Sequence, residues 1–160
     1  MQIPEVQVKH LLYATDHSEN AQVAFAYAAN IAEKFGAQLT LLHVMPGLPD
    51  STTFDVNMER SVSAKKWMTI KKEYLQSAKE EIINRTKLEF GLEEDNIYDI
   101  VVETGSPAKM ILLVAAERKC DFIVMGLKGK GTLDSLMGDT VRRVLHQSKQ
   151  PVLVVQPPEV

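Results

Sequence analysis

The feature that most constrains the fold of this sequence is a regular alternation between two hydrophobic periodicities. Five short runs are nearly continuous apolar, β-branched or aromatic stretches: Val8 to Ala14, Gln38 to Val44, Ile97 to Val102, Phe122 to Met125 and Val152 to Val155. Strands covered on both faces read this way, because neither face has to be polar. Between them helical spacing takes over. Residues 20–35 place Val23, Ala24, Tyr27, Ala28, Ile31 and Phe35 at intervals of one, three and four, and Gly36 closes the pattern. Ser18 is a candidate N-cap for that helix, with Glu19 and Asn20 in its first turn. A longer helix is expected over about 64–90, with Trp67, Ile70, Tyr74, Ala78 and Ile82 as a core-packing stripe and Gly91 as its stop. Pro107 suits the first turn of a third helix through Ile111, Leu112 and Ala115, and a fourth occupies about 139–147. The order β-α-β-α-β-α-β-α-β with short connections predicts an α/β fold, an open doubly wound parallel sheet with helices on both faces.

At 160 residues and 45% apolar content the chain holds one core, so a single domain over 1–160 is expected, its core at about 8–155. One long connection, Met45 to Ser63, is rich in Pro, Gly, Ser and Thr. It reads as a mobile surface insertion, with a lid over a site as the alternative. A net charge of −3 argues against nucleic acid as a partner, and the longest apolar run, Met110 to Ala116, argues against a membrane. The amino end lacks a basic stretch followed by an apolar one, so a secretory signal is not expected and the localisation read is cytoplasmic. Cys120 is the single cysteine, which excludes an internal disulfide and a cysteine-based zinc cluster; it reads as a small buried apolar residue.

Ligands of open α/β sheets bind beyond the carboxyl ends of the strands, where strand order reverses. The segments that follow the strands are therefore the places to look. They are Thr15-Asp16-His17-Ser18, His43-Val44-Met45-Pro46, Glu103-Thr104-Gly105-Ser106-Pro107, and a stretch from Gly126 to Thr140 that holds four of the eight glycines. Clustered glycines let backbone N–H groups converge on an anion, a helix start adds its positive dipole end, and Lys128 and Lys130 have the sign for phosphate. The stretch is not a Walker A loop, because Thr132 stands where the lysine belongs. Nor is it the dinucleotide fingerprint, because Asp134 replaces the third glycine. On its own such a loop is more often a tight turn than a phosphate site.

The whole pattern resembles the universal stress protein family over about Val8 to Val155. The resemblance is carried by Leu12-Tyr13-Ala14-Thr15-Asp16 with Ser18, Leu41-Leu42-His43-Val44, Gly105-Ser106-Pro107, Asp121 to Gly126, and Gly138 followed by a helix and Pro151-Val152-Leu153-Val154-Val155. It implies a five-stranded sheet ordered 3-2-1-4-5, with Asp16 and Gly126 across one crevice. It also implies an ATP-binding stress-response module that acts through nucleotide state and dimerisation, with ATP as ligand with or without Mg²⁺. The implied nucleotide contacts are Ala14, Thr15, Asp16, Val44, Met125, Gly126, Lys128, Gly129, Lys130, Gly138, Asp139 and Thr140. Asp16, Val44 and Met125 would lie at adenine and ribose, and Gly126, Gly129 and Gly138 would wrap the phosphates. The resemblance further implies a homodimer paired through the edge strand Val152–Val155, and an unidentified protein partner. Three departures stand against it. Eight residues separate Gly129 from Gly138 where the ATP-binding signature has nine, Asp139 replaces a hydroxyl residue now found one place later at Thr140, and Ala14 replaces a proline.

The alternative within the same family is a nucleotide-free dimeric interaction module in which Asp139 and the shortened loop have closed the site. Simpler readings attach to single residues. Asp16 could cap the helix after it, and Asp139 reads as the N-cap of the last helix, occupying amides a phosphate would use. His10, His17, His43 and His146 share no ligand spacing and no acidic cluster accompanies them, so no metal site is expected, and His43 reads as a packed strand-end residue. No nucleophile elbow and no flanking carboxylate pair is present, so at most slow ATP hydrolysis is expected. A receiver-like signalling domain of similar topology lacks its paired acids after the first strand.

Overall fold

A computed structural model describes residues 1–45, 64–92, 98–127 and 138–156. The element order is β1 (His10–Thr15), α1 (Ala21–Phe35), β2 (Gln38–Met45), α2 (Ala64–Phe90), β3 (Tyr98–Thr104), α3 (Pro107–Glu117), β4 (Phe122–Gly126), α4 (Asp139–Gln147) and β5 (Val152–Val155). All strand pairings are parallel and the sheet order is β3-β2-β1-β4-β5. Both the fold class and the strand order agree with the expectation. The long connection after Met45 and the residues from Lys128 to Met137 lie outside the described residues, as does Ile97.

Side chains alternate across a strand, and here each side has its own cover. Leu12, Leu42, Ile123 and Met125 point to the face carried by α3 and α4, where they meet Ile111, Val114, Ala115, Val141 and Val144. Leu11, Tyr13, Leu39, Leu41 and Val124 point to the other face and meet Ala24, Ala28 and Ala32 of α1. Burial on both faces is why the strand runs lack polar alternation.

Three local readings are corrected. The inner face of α1 consists of Ala21, Ala24, Ala28 and Ala32, while Tyr27 and Phe35 are more than half exposed. Alanines have no volume to hold the helix off the sheet, so the larger residues are turned outward. The N-cap of α1 is Asn20 rather than Ser18; the Ser18 carbonyl accepts the Ala21 N–H at 3.0 Å. On α2 the expected core stripe is core only in part. Ala78 and Ile82 are half-buried and Thr86 is buried, but Ile70 and Tyr74 are exposed. A helix of 27 residues is about 40 Å long, and this one packs through its C-terminal half.

Candidate functional site

β1 lies between β2 and β4, so its chain leaves toward one side of the sheet while β4 leaves toward the other. The space between those departures is a cavity of about 610 Å³, within the roughly 300–1,000 Å³ typical of small-molecule sites. Ala14, Thr15, Asp16, Val44, Met125, Gly126, Gly138, Asp139 and Thr140 all line it. Lys128, Gly129 and Lys130 lie outside the described residues. The remaining walls, Tyr13, Ser18, Ala21, Leu42, Pro107, Ile111 and Val141, were not among the expected contacts, although Ser18 and Pro107 lie in the segments singled out after the strands. Several of these come from α1 and α3 and follow only from how the helices close over the strand ends.

The cavity has two chemical halves. Leu42, Val44, Ile111 and Met125 form an apolar wall supported by the α3–α4 core. Thr15, Asp16, Ser18, Asp139 and Thr140 bring polar groups to its rim. Asp16 does not cap α1 directly; its Oδ1 accepts the Ser18 N–H at 2.9 Å and closes the turn between β1 and the helix. Tyr13 donates its hydroxyl to the Ala21 carbonyl at 2.6 Å, which pins the helix start over the cavity. Burial holds the Tyr13 phenol protonated well above the usual tyrosine range. The Thr15 hydrogen bond opposes burial, and the Asp16 and Glu89 carboxylates each add a smaller push upward.

At the other rim Gly138 is the N-cap of α4 and Asp139 is its first helical residue, with no side-chain capping bond. The N-cap reading of Asp139 is therefore corrected. Its carboxylate instead pairs with Arg143 one turn on, at 3.1 Å, and is largely exposed. The first-turn amides of α4 are not occupied by that side chain. Gly105, at φ 133°, holds a conformation open to glycine and donates its N–H to the Met45 carbonyl at 3.0 Å, tying the ends of β2 and β3 beside the cavity.

Behind the β1–α1 turn is a group that sequence spacing did not reveal. His17 is buried at φ 58°, a left-handed conformation that histidine adopts more readily than most residues. Its Nδ1 lies 2.5 Å from Glu89 Oε2 and its Nε2 lies 3.3 Å from Thr86 Oγ1, both on α2. Its ring lies 4.7 Å, centroid to centroid, from that of His43, whose Nδ1–H donates to the Thr15 carbonyl at 3.0 Å. The β1–β2 register explains the meeting, since Thr15 is the partner of His43. No group of three His, Cys, Asp or Glu side chains among the described residues is placed to hold a metal ion, and no described helix is long and apolar enough to cross a membrane.

Residues 7–156 match the model of the universal stress protein family. A universal stress protein of Methanocaldococcus jannaschii is 30% identical over 157 residues, covering 94% of this chain and 84% of the relative. Among solved structures, a hypothetical protein whose biochemical function was assigned from its structure superposes with a TM-score of 0.71 at 25% identity, covering 97% of this chain and all of that one. A universal stress protein solved in complex with cAMP superposes at 0.58 with 20% identity, over 94% of this chain and 98% of that one, a likeness of fold. A family match over nearly the full length, the sheet order and the cavity at the strand-order reversal agree, and the chain belongs to the universal stress protein family.

Proposed function

We propose that this protein is a nucleotide-binding regulatory module of the universal stress type, which takes an adenine nucleotide in the crevice between β1 and β4 and acts through its bound state. The observation that carries the reading is the cavity itself. An apolar wall of Leu42, Val44, Ile111 and Met125 suits an adenine ring, and Asp16 at the rim suits ribose hydroxyls. Gly126, Gly138 and the start of α4, together with Lys128, Gly129 and Lys130 from the sequence, suit phosphates. The universal stress protein in complex with cAMP gives a nucleotide precedent within the family. ATP is the preferred ligand, any Mg²⁺ arriving with its phosphates. The reading includes a homodimer paired through β5, which lies at the edge of the sheet with Val152, Leu153 and Val154 only half-buried.

One observation favours a second reading, a nucleotide-free interaction module. Asp139 lines the same cavity, and a carboxylate repels a polyanion. Titration calorimetry with Mg-ATP, alongside ion-exchange analysis of nucleotide released on denaturation, separates the two. Binding that Gly129→Val abolishes supports the first. No heat at millimolar nucleotide and no released nucleotide would leave the interaction module standing. Sedimentation tests the dimer, which Val154→Lys is expected to dissociate.

A further inference from the structure

Neutral imidazole carries one N–H, yet both ring nitrogens of His17 face acceptors. The Thr86 hydroxyl has a single proton and donates it to the Ile82 carbonyl at 2.8 Å, so toward His17 Nε2 it presents a lone pair. Glu89 presents a carboxylate oxygen to Nδ1. Both contacts are hydrogen bonds only when His17 carries a proton on each nitrogen, as an imidazolium whose charge Glu89 compensates in a buried place. The other titratable groups around it are His43 on β2, its ring tilted by 52° at 4.7 Å, and Asp16, adjacent in the chain; Phe90 of α2 stacks on a further side. His43 uses its Nδ1–H on the Thr15 carbonyl. The residue so clamped sits between Asp16 and Ser18, both of which line the cavity.

We propose that His17 is a positioning residue for the pocket: a proton-carrying clamp, closed by Glu89 and Thr86, that ties the Asp16 turn to the C-terminal end of α2. The role in ligand binding rests on the nucleotide reading above; the clamp itself does not. It makes α2 a support of the site although neither the helix nor His17 itself lines the cavity. A charged tie of this kind responds to proton loss at His17. Once that proton leaves, Thr86 must abandon the Ile82 carbonyl or face Nε2 lone pair to lone pair, and the turn loses its anchor.

Two measurements test it. Long-range ¹H–¹⁵N correlation of the labelled protein at neutral pH is expected to show both His17 ring nitrogens protonated; the pattern of a single neutral tautomer would overturn the clamp, whether or not nucleotide binds. Mg-ATP titration is expected to show Glu89→Gln and His17→Asn each weakening binding about tenfold, with the double variant no worse than either single one, as for groups in one network. Asparagine tolerates the left-handed backbone, and Glu89→Gln keeps the shape should His17→Asn fold poorly. In the nitrogen spectrum Glu89→Gln is expected to lose one of the two His17 N–H signals, which a merely structural contact would not do. If the parent binds and both variants match it, positioning is refuted while the nucleotide reading stands. If the parent binds no nucleotide, the pocket role falls with that reading, and the nitrogen shifts still decide the clamp.

Discussion

At the amino end of β1 the polar groups turn on one another, whereas at its carboxyl end they surround a space. Below the sheet, Asp121 Oδ2 accepts the Lys9 and His10 N–H groups at 2.7 and 2.9 Å, and the Asp121 N–H returns to the His10 carbonyl at 2.8 Å. His10 bridges the Arg118 carbonyl at 3.1 Å and the Thr40 hydroxyl at 2.8 Å, and Arg118 pairs with Asp99. Residues of β1, β2, β3 and the α3–β4 connection are braced together there. Above the sheet, Asp16 closes one turn and otherwise stands at the rim of a 610 Å³ cavity. The asymmetry has a geometric origin. At the amino ends of parallel strands the incoming connections converge, while at the carboxyl ends of β1 and β4 they part in opposite directions. One end is therefore braced, and the other leaves an open cavity.

If that division holds, damage should sort by end. Asp121→Ala, which strips two backbone N–H groups of a charged acceptor, is expected to cost about 2 kcal/mol in urea unfolding while leaving Mg-ATP affinity within error. Loss of affinity to the same degree would break the comparison. Asp139→Ser at the opposite end should do the reverse. It removes a charge from the cavity rim and no capping bond, so nucleotide binding should tighten about tenfold, near 1 kcal/mol, with little change in stability. No gain in calorimetry would mean that the carboxylate does not oppose the ligand.

A third test uses Cys120, buried beside the braced end. Burial, aided by Asp121 and opposed by Arg118, pushes its thiol up to about 11 from the usual 9.0. Iodoacetamide should leave it unmodified at mildly alkaline pH until the protein unfolds. A raised folded value means that its contribution to stability is complete below about pH 9 and declines as pH climbs through about 11, and the Cys120→Val variant should show a shallower alkaline loss. The smallest effect is expected for Arg143→Ala. The exposed Asp139–Arg143 pair should be worth less than about 0.5 kcal/mol, and any larger loss in thermal unfolding would give that rim an unexpected structural role.

How much of this could be read in the sequence depended on whether a pattern reports its own environment. The runs around Leu11–Leu12, Leu41–Leu42 and Ile123–Val124 did, because uninterrupted apolar character follows from cover on two faces. Helical spacing reported less. Trp67, Ile70 and Tyr74 give α2 an apolar stripe, but spacing does not say what lies against it, and Ile70 and Tyr74 are exposed. On α1 size misled: Tyr27 and Phe35 looked like anchors, while Ala24 and Ala28 make the contact. Nine proposed site residues converge on the cavity because the resemblance fixed the strand order. Ile111 was invisible because a neighbouring helix supplies it. His17 escaped for a different reason, since its partners are about seventy residues away and its backbone is left-handed.

The central place of β1 also bears on how the molecule assembles. Its first partner, β2, begins at Gln38, so β1, α1 and β2 can pair soon after they are made. Its second partner, β4, begins only at Phe122, and α4 follows at Asp139. During synthesis the edge of β1 that will meet β4 waits through most of the chain, covered by no strand of its own sheet. The crevice, with one wall from each side of that late pairing, is thus among the last features to exist. A truncated or stalled chain can hold the β1–β2–β3 half of the sheet and still have no place for a ligand. A complete crevice in this fold therefore requires that the final strands have arrived.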